Sequence, residues 1–167
     1  ICLFASVTSL IVVQRGIAAE TGRTGWLALG GAITGLGIWT THFAAMLAYA
    51  PGVDVYFNVA RAGGSILVAA SVSAVGWIVG FGGARHRGLA AGALIGLALA
   101  AAHFIDMTAL RVAGIITYDG DLVGVSLAGG IALCALAGRR LQRDRGAPLP
   151  LRAAALLGLG ILLLHFV

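Results

Sequence analysis

GLGIWTTHFAAM, residues Gly35 to Met46, decides how the chain is read, because it returns as GLALAAAHFIDM at Gly96 to Met107 and as GLGILLLHFV at Gly158 to Val167. The copies begin 61 and then 62 residues apart. Each has a glycine seven residues before a His-Phe pair, and the first two have a methionine four residues after the histidine. A period of this length predicts a chain assembled from three copies of one supersecondary unit.

Composition places those units in a membrane. Of 167 residues 60% are hydrophobic, 26 are Gly and only 10% are charged, far from the composition of soluble globular domains. The formal charge of +5 comes from 11 Arg with no Lys. Those arginines lie between apolar stretches, where they set topology, so no direct nucleic-acid binding is expected. Cys2 and Cys134 show neither a CxxC nor a metal-ligand spacing and read as bystanders. The first residue is Ile1, and Val167 lies inside an apolar run, so a single domain cut at both ends is expected. The first apolar run lacks the flanks of a signal peptide. No Walker loop, Ser-His-Asp pattern or catalytic carboxylate pair is visible, so the chain itself is read as non-enzymatic.

The apolar runs are Ile1 to Val13, Trp26 to Ala50, Gly63 to Gly83, Leu89 to Leu110, Leu122 to Ala137 and Ala153 to Val167. They predict an all-α membrane bundle of six visible transmembrane helices, seven in the intact domain. Continuous rather than alternating apolarity excludes a membrane β-barrel. Three two-helix repeats in parallel orientation, approximately 1–50, 63–110 and 122–167, account for the period. The breaks holding Arg15 and Arg23, Arg85 and Arg87, and Arg139, Arg140, Arg143, Arg145 and Arg152 are assigned to the cytoplasm by the positive-inside rule. Asp54 with Arg61, and Arg111 with Asp119 and Asp121, face outward. Trp39, Tyr49, Tyr56 and Tyr118 gather toward that side as interfacial anchors, Trp39 alternatively lining the site. At about 1.5 Å per residue, His42 lies roughly 24 Å and His103 roughly 21 Å from the cytoplasmic side, in the outer third of the bilayer.

Seven residues are two helical turns, so Gly31, Gly35, His42 and Met46 share a stripe, as do Gly92, Gly96, His103 and Met107. Gly31 with Gly35 and Gly92 with Gly96 are GxxxG pairs, and Ala154 with Gly158 is the small-residue equivalent, which turns this stripe toward neighbouring helices. Imidazole and thioether together suit copper, particularly Cu(I), better than oxygen-seeking cations. His42, Met46, His103, Met107 and His165 are therefore candidate ligands. The competing reading makes each histidine an interhelical hydrogen-bonding group and each methionine a space filler.

These residues carry a resemblance to the MHYT domain, a bacterial integral-membrane sensor built from repeated helix pairs. The family pattern G-x-G-I-W-x-M-H-[YF]-[TI]-G-M-x-A is matched at Gly35, Gly37, Ile38, Trp39, His42, Phe43, Met46 and Ala48. A second copy matches at Gly96, His103, Phe104, Met107 and Ala109, followed by Tyr118 and Asp119, with Ser65 and Ser126 where a serine tends to open the next helix. The chain departs from the pattern at Thr41, Ala102 and Leu164, which replace the methionine before each histidine. The resemblance implies a multi-pass protein of the bacterial cytoplasmic membrane. It implies a copper site sensing oxygen, carbon monoxide, nitric oxide or redox state, and a cytoplasmic output such as a cyclic-dinucleotide enzyme or a DNA-binding regulator.

Asp106 stands where the first copy has Ala45. Three residues after His103, it can orient that imidazole or serve as an oxygen ligand; alternatively it reaches interfacial water or pairs with Arg111. Two other functions remain open at this level: a small-solute transporter or channel, from the repeats and intramembrane His and Asp, and a haem protein with two axial histidines.

Overall fold

A computed structural model describes residues 1–48, 55–83, 87–112 and 114–166. Within them the chain forms six helices, α1 Cys2–Ala18, α2 Arg23–Ala48, α3 Val59–Phe81, α4 Gly88–Ala109, α5 Gly120–Arg143 and α6 Leu151–Phe166. Two short strands, β1 Val55–Phe57 and β2 Leu110–Val112, complete the secondary structure. Tyr49, Asp54 and Arg85 lie outside the described residues.

The apolar runs become helices, with corrections to their bounds. α1 continues past Val13 through Gln14 and Arg15, and α5 continues past Ala137 to Arg143. Gln and Arg are good helix formers, so the helix outlasts the apolar run. Arg139, Arg140 and Arg143 thus stand on a helix rather than in a loop. α3 and α5 open not at Ser65 and Ser126 but one to two turns earlier. There Asn58 accepts from the Arg61 N–H at 3.0 Å, and Asp119 accepts from the Asp121 and Leu122 N–H groups at 3.0 and 3.2 Å. The two caps are themselves 61 residues apart. Ser65 and Ser126 lie inside their helices and donate back to the carbonyls of Ala62 and Val123.

By length and composition α3, α4 and α5 are the helices that can cross a membrane. α2, though 26 residues long, is not among them: glycine, threonine, tryptophan and His42 dilute its apolar surface. α1 and α6 are shorter apolar helices.

Consecutive helices pack on one another and α6 returns to α1, so the six close a ring in which α4 touches both α2 and α6. Pairing is antiparallel and is set by glycine. A Cβ added to Gly31 would stand 2.2 Å from Ala74 Cα, and one added to Gly35 would stand 2.3 Å from Ala70 N. Sixty-one residues on, the same positions meet α5: Gly92 would meet the Cys134 carbonyl at 2.0 Å and Gly96 the Ile131 Cα at 2.7 Å. The glycines thus bring α2 against α3 and α4 against α5, backbone to backbone. The third copy differs. A Cβ on Gly158 would lie 3.7 Å from Cys2 Sγ, an ordinary contact, where α6 meets α1 as the ring closes.

The remaining core is aliphatic and aromatic, with Leu10, Val13, Leu27, Trp77, Phe81, Ile95, Leu141 and Leu157 all sealed from solvent. One buried polar node crosses three helices: Ser9 and Thr34 hydroxyls lie 2.5 Å apart, and Trp77 Nε1 donates to Thr34 Oγ1 at 3.0 Å.

The strands were not anticipated. They pair antiparallel, Val55 opposite Val112, Tyr56 opposite Arg111 and Phe57 opposite Leu110, and Asn58 N–H donates to the Ala109 carbonyl at 2.8 Å. Because β1 precedes α3 and β2 follows α4, the ladder places both connections at the end of the bundle where the His-Phe cassettes finish.

Alanine at Gly35 or Gly92 should cost about 1–3 kcal/mol through overpacking against backbone, whereas Gly158→Ala should stay near the parent. Thermal unfolding of the purified proteins in detergent checks the ranking; equal stability of all three variants would contradict it.

Candidate metal centre

Each cassette sits toward the C-terminal end of α2, α4 or α6, and the ring of helices brings the three together. His42 comes from α2, His103 from α4 and His165 from α6. His42 is 5% exposed and the other two are half-buried. Ring centroids are 5.2 Å apart for His42 and His103, 5.1 Å for His42 and His165, and 5.9 Å for His103 and His165, all edge to face. One nitrogen from each ring lies within 4.8 Å of one from both others. The shared register expected of the three histidines is thus matched by contact in space.

The donor set fits a transition metal. Ligands about 2.0–2.1 Å from one ion stand at most about 4 Å apart, so three imidazoles within 4.8 Å need only small rotations to share it. His42 Nδ1 is buried without a hydrogen-bond partner. An unsatisfied buried polar atom costs about 1–3 kcal/mol, and a metal bond would remove that cost. Among the described residues this is the cluster of three or more His, Cys, Asp or Glu side chains able to hold an ion.

Met46 and Met107 are half-buried on the same helices, one turn beyond His42 and His103. Phe43 and Phe104 flank the site: Phe43 packs on His42, on Trp39 and on Phe57 of β1, and Phe104 on His103 and Tyr118. Trp39 is tied to α3, donating from Nε1 to the Ala62 carbonyl at 2.9 Å. Tyr56 and Tyr118 are exposed at this end, as anchoring residues would be. Cys2 and Cys134 are free thiols outside the imidazole cluster.

Asp106 takes a partner that sequence reasoning missed. It is 2% exposed, and one carboxylate oxygen accepts from the Ser65 hydroxyl of α3, whereas the other has no partner. It neither belongs to the imidazole cluster nor pairs with Arg111, which is the exposed residue of strand β2. On a helix the side chain three residues on is displaced around the axis from His103, and this displacement turns Asp106 toward α3. The signal lay in Ser65, the first serine of α3, at the same end of the bundle.

Residues 35–93 and 96–154 each match the MHYT family, described as a bacterial signalling protein N-terminal repeat. The chain belongs to the MHYT family. Each matched stretch starts at a cassette and runs through the following helix, the pairing that the glycines draw closest. A signalling protein of Caulobacter vibrioides, described as uncharacterized, is 32% identical over 99% of this chain and 21% of its own length. The cyclic di-GMP phosphodiesterase NbdA of Pseudomonas aeruginosa is 34% identical over 99% of the chain and 22% of its own length. The bifunctional diguanylate cyclase/cyclic di-GMP phosphodiesterase MucR of the same species is 34% identical over 76% of the chain and 19% of its own length. The chain therefore spans about a fifth of the curated relatives it matches. No solved structure matches it at a significant level.

Ser65→Ala should destabilise the MHYT chain by about 1–3 kcal/mol, since it strips Asp106 of its bond. Adding Asp106→Ala should recover part of the loss, because the two side chains are coupled. A double-mutant cycle read by thermal unfolding checks this; additive losses would show that the bond contributes nothing.

Proposed function

We propose that this MHYT chain is a sensor embedded in the bacterial cytoplasmic membrane that holds copper between His42, His103 and His165. The convergence of one imidazole from each of three repeats carries this reading. Met46 and Met107 stand one turn away as soft donors suited to the cuprous state. Bound there, copper would supply a redox-active centre with affinity for oxygen, carbon monoxide or nitric oxide. The protein's part is to orient the imidazoles and to shield them from lipid with Phe43, Phe104 and Trp39.

Transmission follows from how the site is built. Its ligands come from three helices, so binding ties α2, α4 and α6 together and favours packings that keep the imidazoles close. A signal passes when two packings differ in affinity for the ligand or for the metal's redox state. Relatives named for cyclic di-GMP synthesis and breakdown match this chain over about a fifth of their lengths. The receiving part of the whole protein is accordingly a cyclic-dinucleotide enzyme on the cytoplasmic side.

Two observations weigh against the other readings. With ring centroids 5.1–5.9 Å apart in a triangle, a porphyrin between any two histidines would have to displace the third. α2 to α5 run without interruption, unlike the broken helices that form binding sites in many transporters.

Metal analysis of membrane-extracted protein tests the proposal. Copper close to one ion per chain is expected in the parent, with loss of most of it in the His42→Ala/His103→Ala/His165→Ala variant. Equal content in both would leave the histidines as structural groups.

A further inference from the structure

At the opposite end of the bundle α4 and α5 touch again. A Cβ on Gly138 would stand 2.1 Å from the Gly88 carbonyl, and Gln142 Oε1 accepts the Gly88 N–H at 2.7 Å. Arg87 and Arg139 are the chain neighbours of these two glycines, and Arg143 follows Arg139 by one turn on the same face of α5. Together they line a groove of about 490 Å³ whose other walls are Gly88, Leu89, Ala90 and Gln142. All three arginines are exposed, and among the described residues none of their guanidinium groups has a hydrogen bond or a carboxylate partner. The described ion pair of this region, Arg140 with Asp144 at 4.0 Å, involves neither the groove nor its arginines.

Three unpaired cations held about one groove repel one another unless an anion joins them. The groove lies where two apolar helices able to cross a membrane reach their basic ends, and its wall includes the exposed apolar side chain of Leu89. Guanidinium above and apolar surface beside it match the two halves of an anionic phospholipid. The feature is not a by-product of the repeat. Sixty-one residues earlier, at the α2–α3 junction, the equivalent positions are Trp26, Ile78 and Gly82. Basic residues that served topology alone would not need to converge on one junction.

We infer that the α4–α5 groove is a binding site for the phosphate of an anionic phospholipid, held by Arg87, Arg139 and Arg143 in the cytoplasmic leaflet. This rests on the reading of the bundle as membrane-spanning with its arginine-rich end inside. A lipid seated there bridges α4, which carries His103, and α5, so membrane composition would bias the same helix packing that the imidazole site reads.

Native mass spectrometry of the full chain released from nanodiscs of equal phosphatidylglycerol and phosphatidylcholine tests it. The comparison variant is Arg87→Lys/Arg139→Lys/Arg143→Lys, which keeps charge and topology but loses the planar fork. The parent should retain phosphatidylglycerol preferentially, and the variant should lose about tenfold of that preference. Arg140→Lys/Arg152→Lys should retain it. Nanodisc incorporation without lipid preference, or equal preference in all three proteins, would overturn the site while leaving the membrane reading intact. Recovery of the parent in the soluble fraction would overturn both. Displacement of the lipid by millimolar inorganic phosphate would reassign the groove to a soluble anion and overturn the lipid.

Discussion

Backbone contact between helices at Gly31 and Gly35, and again at Gly92 and Gly96, is the constraint on which the rest of the structure depends. Apolar burial alone gives these helices little drive to associate, because lipid tails compete for apolar side chains as well as another helix does. Close approach at a glycine is different, because only one register lets two backbones meet there. Since the second glycine of each pair stands two turns before a histidine on the same helix, register also sets the depth of the imidazole. Repeating the device after 61 residues places His103 level with His42, and closing the ring through α6 and α1 brings in His165.

That closing junction is the looser one, with Gly158 in ordinary contact with Cys2 and Ser6 of α1. On its other side α6 is held closely, since a Cβ on Gly160 would stand 2.9 Å from Cys134 Sγ and 3.1 Å from the Gly130 carbonyl of α5. His103 and His165 are the half-buried members of the imidazole triangle, whereas His42 is buried among its neighbours. A sensor needs one element able to shift against a fixed frame, and of the three cassette glycines Gly158, at the α6–α1 junction, makes the loosest contact.

Much of this was legible in the residues. Helix number, the antiparallel order and the meeting of three histidines follow from a repeat whose period carries glycine and histidine together. What escaped shows where pattern reading ends. α5 was cut at Ala137 because hydropathy marks the lipid boundary, which a helix of Arg and Gln can outrun to Arg143. β1 and β2 are three residues each, too short for alternation to register, and stabilised by pairing 55 residues apart. Asp106 looked like a partner for His103 because the two are near in sequence. Its bond to Ser65 depends on which neighbour lies across the helix interface, information no single helix contains.

The central claim is that three repeats build one shared site. Pulsed electron paramagnetic resonance of the protein loaded with Cu(II) addresses it directly, since the echo modulation counts imidazoles on a single ion. One copper per chain with three coordinated imidazoles, falling to two in His165→Ala, is the predicted result. Several ions per chain, each bound by one imidazole, would contradict it.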